Sequence, residues 1–275
     1  MMDLSSTVTL SNGVEMPWFG LGVFQSKEGP EVENAVLTAL EAGYRHIDTA
    51  AVYRNEGGVG RAVKASTIAR HEVFITSKVW NSDQGYHRTF AALEASLDRL
   101  QTNYLDLYLI HWPKGPLSAE TWQALEELYA AGKVRAIGVS NFLVHHLTDL
   151  LPHCKVAPMV NQVEYHPELQ QPHLLRFCLE NNIRLEAWSP IMKGRVNSVP
   201  VLQALAAKYG KTPVQITLRW ELQKQVVVIP KSVQPDRIRD NAQVFDFELS
   251  PEDMAKIDRL DKNRRVGPDP DNFDF

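Results

Sequence analysis

The chain has 275 residues, is 44% hydrophobic and 23% charged, and carries a formal net charge of −4. That balance excludes a disordered chain and gives no global basic field for nucleic acid or an acidic membrane, while the length suits one barrel of about 250 residues. Two cysteines are too few for a disulfide framework and predict a cytoplasmic setting, the first 17 residues lack the basic and apolar regions of a secretory signal, and no apolar run reaches the roughly 20 residues of a membrane span.

In chain order, residues 8–10 and 14–16 flank Ser11-Asn12-Gly13 and predict a β-hairpin. It precedes the repeating part of the chain, so it is placed as a plug over one end of the fold. Eight short apolar runs follow: 18–22, 45–49, 73–78, 105–111, 135–141, 158–162, 184–189 and 226–232. Helical stretches alternate with them. Residues 31–42, 90–100, 121–129 and 201–209 each place apolar side chains three and four apart, on one helix face. Strands that are apolar almost throughout are covered on both faces, as in a parallel sheet within a helical layer. About eight strand-then-helix units predict an α/β fold, a (β/α)8 TIM barrel, with residues 1–275 as one domain. The rival, a doubly wound sheet, normally carries G-x-G-x-x-G after its first strand; Gly57-Gly58-Val59-Gly60 has the wrong spacing. The tail, 264–275, is rich in Pro and Asp and reads as irregular and lying against the surface.

In such a barrel the carboxyl ends of all strands share one face, where the chemistry sits. The runs end on Asp48, Lys78, His111, Ser140 and Asn141, Gln162, Trp188 and Ser189, and Lys231 and Ser232. Tyr53 follows Asp48 at the mouth of the next helix. A free phenol, with a pKa of about 10, is a poor acid near neutrality. An adjacent ammonium is expected to lower that value, and a carboxylate to hold the ammonium. Asp48, Lys78 and Tyr53 therefore form a candidate proton-donor relay, with His111 placed to orient a carbonyl oxygen. Lys231, Ser232 and Arg237, with Pro235 opening a helix and Asn241 one turn beyond Arg237, form a candidate anion site. Trp18, Trp80 and Trp112 are candidate walls of a substrate pocket. His145 and His146, adjacent on a helix, are expected to point apart as surface residues, and no Cys/His spacing suggests a metal site.

Three spaced motifs carry a resemblance. GYRHIDTAAVYRNEGGVG (43–60), RAIGVSNF (135–142) and IPKSVQPDRIRDN (229–241) resemble, in order, the three signatures of the aldo-keto reductase family. Within it, VEMPWFGLGVF, ITSKVWN and DLYLIHWP are most similar to the bacterial branch of glyoxal/methylglyoxal reductases and 2,5-diketo-gluconic acid reductases. The resemblance implies NADPH-dependent reduction of carbonyls, with NADPH/NADP+ as cofactor and transfer of the 4-pro-R hydride. It implies Asp48, Tyr53, Lys78 and His111 as the catalytic tetrad, with Tyr53 as proton donor. Ser140, Asn141 and Gln162 match positions that hold the nicotinamide carboxamide, and Trp188, followed by Ser189, the aromatic that stacks on the ring. Lys231, Ser232 and Arg237 match positions around the 2′-phosphate, and Asn241 the adenine side. Trp18, Trp80, His111 and Trp112 would meet substrate. The chain departs from the pattern at Asp240, near the phosphate site, and at Pro190–Gly194, where relatives often carry Pro-Leu. Short loops suggest an open cleft taking small dicarbonyls and aromatic aldehydes. The partner is a small carbonyl substrate, with no nucleic acid and no membrane, in a monomer. The alternative from another functional class is a non-catalytic NADPH-binding subunit that senses redox state.

Overall fold

A computed structural model describes residues 2–275. A hairpin of β1 (Thr7–Thr9) and β2 (Glu15–Pro17) comes first, its register pairing Val8 with Met16. Eight parallel strands follow in strict sequence order: β3 (Leu21–Gly22), β4 (His46–Asp48), β5 (Phe74–Val79), β6 (Leu105–Ile110), β7 (Val134–Ser140), β8 (Val160–Glu164), β9 (Arg184–Trp188) and β10 (Val227–Val228). Isolated bridges Phe19–Val228 and Gly22–Lys231 join the last strand to the first, and the sheet closes. The seam is tight: a Cβ on Gly22 would stand 2.8 Å from the Ile229 carbonyl oxygen. Every residue of β5 and β6 is buried, as strands covered on both faces must be.

The helices are α1 (Pro30–Glu41), α2 (Glu56–Ala65), α3 (Tyr86–Leu100), α4 (Pro116–Ala130), α5 (Val144–Leu150), α6 (Pro172–Glu180), α7 (Pro200–Tyr209), α8 (Pro213–Gln223), α9 (Pro235–Asn241) and α10 (Pro251–Asp258). All but α2, α3 and α5 begin on proline, whose missing N–H is one the first helical turn leaves unpaired anyway. At α8 a reciprocal cap supports the start: Gln215 N donates to Thr212 Oγ1, and Thr212 N to Gln215 Oε1. Among the described residues no helix is long and apolar enough to cross a membrane.

The hairpin plugs the end where the strands begin. Asn12 Nδ2 donates to the Arg135 carbonyl at the start of β7, and Thr9 and Leu10 line a small cavity with Ile183 and Arg184 at the start of β9. Two expectations need correction. The run 158–162 is displaced: the strand is Val160–Glu164, so Gln162 lies mid-strand and Glu164 ends it. The tail does not simply lie on the surface. Glu164 accepts hydrogen bonds from the backbone N–H groups of Val266 and Gly267, at 2.5 and 3.2 Å, and draws the tail across the strand ends.

Candidate active site

Lys78, fully buried near the end of β5, is the centre of the rim. Its Nζ donates to both oxygens of Asp48 at 2.8 Å and to the Thr49 carbonyl at 2.9 Å, and stands 3.5 Å from the Tyr53 phenolic oxygen. Two neighbouring parallel strands supply the pair, and a single helical turn, Ala51–Tyr53, carries the phenol back over it. Burial disfavours the Lys78 ammonium, but Asp48 and Tyr53 more than offset this and its pKa is raised. Burial likewise pushes the half-buried Tyr53 phenol above its ordinary value, and the Lys78 charge opposes it without reversing the shift. The expected lowering of the phenol is therefore not found: burial outweighs the ammonium, and the Asp48 charge works on the side of burial.

His111, directly after β6, lies edge-on to Tyr53 with ring centroids 5.7 Å apart, and edge-on to Trp80 at 5.1 Å. Burial first, and then the Lys78 charge, holds its pKa well below the usual imidazole value, so the ring is neutral near pH 7. Asn141 fixes the next part of the rim. Held at φ 66°, its Nδ2 donates to the His111 carbonyl at 2.9 Å and to Ser140 Oγ at 3.1 Å, and its Oδ1 accepts from Trp188 Nε1 at 2.8 Å. Ser140 Oγ donates to the Gln162 carbonyl. Gln162 Nε2 donates to Asp48 Oδ2 and to Glu186 Oε2, each at 2.7 Å. Asp48, Tyr53, Lys78, His111, Ser140, Asn141, Gln162 and Trp188 thus form one connected network.

Lys231 and Ser232 follow β10 on the same face, Lys231 bridging to Gly22. Ser232 Oγ accepts from Gln234 N, so it is engaged in a local turn ahead of α9. Arg237 is exposed, whereas Asn241, one turn on, is buried. Asp240 is exposed and turns its backbone carbonyl to Gln215 Nε2. Ser189, at φ 52°, begins a tight turn in which Lys193 Nζ donates to the Val266 carbonyl at 3.1 Å, tying that turn to the tail.

Of the three tryptophans, Trp80 and Trp112 belong to the rim. The tail seals them: Phe275 stacks on Trp80 at 5.7 Å and meets Trp112 edge-on at 5.2 Å, Phe273 packs on Trp112 at 4.9 Å, and Asn81 Nδ2 donates to the Phe275 carbonyl. Trp18 does not join them. Its carbonyl accepts from Val228 N at the seam, and the Arg184 guanidinium, at the start of β9, lies 5.1 Å from its ring, at the opposite end of the barrel. Phe24 takes the place beside the phenol, 4.9 Å from the Tyr53 ring and half exposed. The strand-end rule could have found Phe24: the run 18–22 and the strand Leu21–Gly22 both end on Gly22, two residues before it, whereas Trp18 stands at the opening of the run.

His145 and His146 do not point apart. Their rings are 4.0 Å from each other, and both Nε2 atoms meet Asp271 of the tail, at 2.9 and 3.2 Å. Leu143 N donates to His146 Nδ1, so the neutral ring keeps its proton on Nε2, facing Asp271.

The residues fit a pyridine dinucleotide. A single Gln162 nitrogen meets two carboxyl groups, and its Oε1 has no donor among the described residues; Trp188 offers a partly exposed flat face; Lys231 and Arg237 are cations beyond it, while Asp236 pairs with Arg239. Comparison with known proteins gives the same picture. The model of the "Aldo/keto reductase family" matches residues 18–262. Glyoxal reductase of Bacillus subtilis (strain 168) is 58% identical over 273 residues, covering 99% of each chain. Methylglyoxal reductase DkgA of Yersinia pestis is 48% identical over 276 residues, again 99% of each. Among solved structures, a Gox0644 mutant in complex with NADPH superposes with a TM-score of 0.91 at 43% identity, covering 98% of this chain and 99% of that one.

Proposed function

We infer, from the premise that this chain belongs to the aldo/keto reductase family, that its rim reduces small aldehydes and dicarbonyls with NADPH, Tyr53 acting as the proton donor. The observation that carries the assignment is the Lys78 Nζ group, doubly bonded to Asp48 and 3.5 Å from the Tyr53 oxygen. When bound, NADPH supplies a hydride to the carbonyl carbon. The chain's own residues manage the other half of the change. Neutral His111 donates one N–H to the carbonyl oxygen and orients it. As negative charge develops there, Tyr53 passes its proton to that oxygen, and the Lys78 ammonium stabilises the phenolate left behind. Asp48 keeps the ammonium charged and in place inside the barrel.

Ser140, Asn141 and Gln162 would hold the nicotinamide carboxamide and Trp188, with Ser189 behind it, the ring. Lys231, Ser232 and Arg237 would hold the 2′-phosphate, and Asn241 the adenine side. Trp80, Trp112 and Phe24 would wall the substrate, which the names of the relatives suggest is glyoxal or methylglyoxal. Two free cysteines support a cytoplasmic site of action. We read residues 1–275 as one barrel working as a monomer. Nothing at the rim favours a sensor without turnover. Tyr53→Phe tests the reading: methylglyoxal reduction, followed by loss of NADPH absorbance, should fall by about 10²–10⁴-fold. NADPH affinity should stay within about twofold, since the phenol oxygen contributes to the chemical step rather than to holding the dinucleotide. Undiminished turnover would remove Tyr53 from the mechanism.

A further inference from the structure

Glu186 lies in mid-strand on β9, fully buried, in register with Gln162 of β8. A carboxyl group in a barrel interior is costly unless it is bonded or neutral. Among the described residues Glu186 has one hydrogen-bond donor, Gln162 Nε2; its Oε1 is unpartnered, 3.7 Å from His46 Nε2. The ionisable groups around it are Asp48, Lys78 and His46. Burial first, then the charge of Asp48, pushes Glu186 up to about 8, and burial brings His46 down to about 3, so both are neutral near pH 7. Lys78 spends its hydrogen bonds on Asp48 and the Thr49 carbonyl, not on Glu186. The acid therefore stabilises no charge and completes no ion pair. Its made bond goes to one amide.

That amide can be oriented in only one way. Asp48, paired with Lys78, is an acceptor on both oxygens, so the Gln162 atom 2.7 Å from Asp48 and from Glu186 must be the NH2 nitrogen. Both of its hydrogens are then used, one on each carboxyl. We propose that Glu186 is a positioning residue: it shares the Gln162 amide nitrogen with Asp48 and so fixes Gln162 Oε1 toward the rim, as an acceptor for the carboxamide N–H of the nicotinamide. With Asp48 as the sole anchor the amide would keep one hydrogen free and could swing about that single bond. This inference rests on the NADPH reading above.

The test compares two ligands on purified wild-type protein, Glu186→Leu and Glu186→Gln, by fluorescence quenching or calorimetry. One ligand is NADPH. The other is adenosine 2′,5′-bisphosphate, which carries the 2′-phosphate and adenine but no nicotinamide. Glu186→Leu removes the acceptor and nearly keeps the volume, and the bisphosphate, bound away from Gln162, reports whether the barrel as a whole is intact. It should weaken NADPH about five- to tenfold, the loss of roughly one hydrogen bond, and leave the bisphosphate unchanged. Glu186→Gln retains an amide oxygen that can accept from Gln162, and should bind NADPH within about twofold of wild type. Equal weakening of both ligands by Glu186→Leu, unchanged NADPH binding in that variant, or failure of Glu186→Gln to restore affinity would each overturn the positioning role. A wild-type protein that ignores the bisphosphate would instead overturn the NADP reading, and this proposal with it.

Discussion

Lys78 is buried completely, and an ammonium there survives only because two carboxylate oxygens and a carbonyl surround it. Glu186, a short distance away, has no such cation and answers burial by keeping its proton. Burial raises both acids joined by Gln162, but only Asp48 has the Lys78 ammonium against it, and the Glu186 shift has a measurable sign. A carboxyl raised to about 8 when folded, against an ordinary value of 4.5, favours the native state most below pH 4.5. That contribution is lost as pH climbs from 4.5 to 8, because only the unfolded chain releases the proton in that window. Urea unfolding at a series of pH values should show Glu186→Gln with a flatter stability profile over this range; an unchanged slope would mean that Glu186 is ionised when folded. At the far end of the rim, Lys231→Ala combined with Arg237→Ala should weaken NADPH about a hundredfold while NADH changes little, since charged hydrogen bonds to phosphate are among the stronger polar contacts. Equal losses would show that these cations serve some other purpose. The catalytic candidates were legible at this scale because a strand that is apolar to its last residue and then turns to Asp, Lys or His announces a site. Glu186 was not, because an acid sandwiched between Leu185 and Ala187 gives no sign of what it faces across the barrel.

Strands and helices were readable as types, less so as bounds. β6 fits its apolar run to within a residue, whereas β8 slides two residues past its own: Met159 already bonds Ile137 and Arg184 through its backbone, but the paired strand runs from Val160 on to Glu164, beyond the apolar stretch. The first run shows a related difficulty: WFGLG is uniformly apolar, yet the strand is Leu21–Gly22 with an isolated bridge at Phe19, so Trp18 opens the run at the plugged end and Phe24, beyond its close, stands at the phenol. The tail was opaque because its structure is made by partners more than 100 residues away, Glu164 above all. Its aromatic tip narrows the cleft that short loops alone would leave open. Phe275→Ala should raise KM for an aromatic aldehyde about tenfold, through loss of stacked and edge-on ring contacts, and affect methylglyoxal much less. Steady-state kinetics with both substrates would show it, and an equal rise for the two would place Phe275 outside the pocket.

For the molecule as a whole, the decisive contact is the seam between its first and last parallel strands. Sequence periodicity supports a count of eight strand–helix units but says nothing about whether the ends meet; that depends on Gly22 being small enough for the Ile229 backbone to approach. Gly22→Ala should cost about 1–3 kcal/mol by urea unfolding, because the neighbour in the way is backbone and has no rotamer to yield. It should also weaken NADPH, since Lys231 is bridged to the same residue. Wild-type stability and affinity in this variant would show that the seam relaxes freely.

The seam has a consequence for how the protein is made. Its two halves are more than 200 residues apart, so a nascent chain leaving the ribosome carries the first barrel strand with one edge unmatched until β10 has been made. Closure is thus a late act of the barrel's making, and the interval before it is when the newborn polypeptide most needs shelter from pairing with its neighbours on the same polysome.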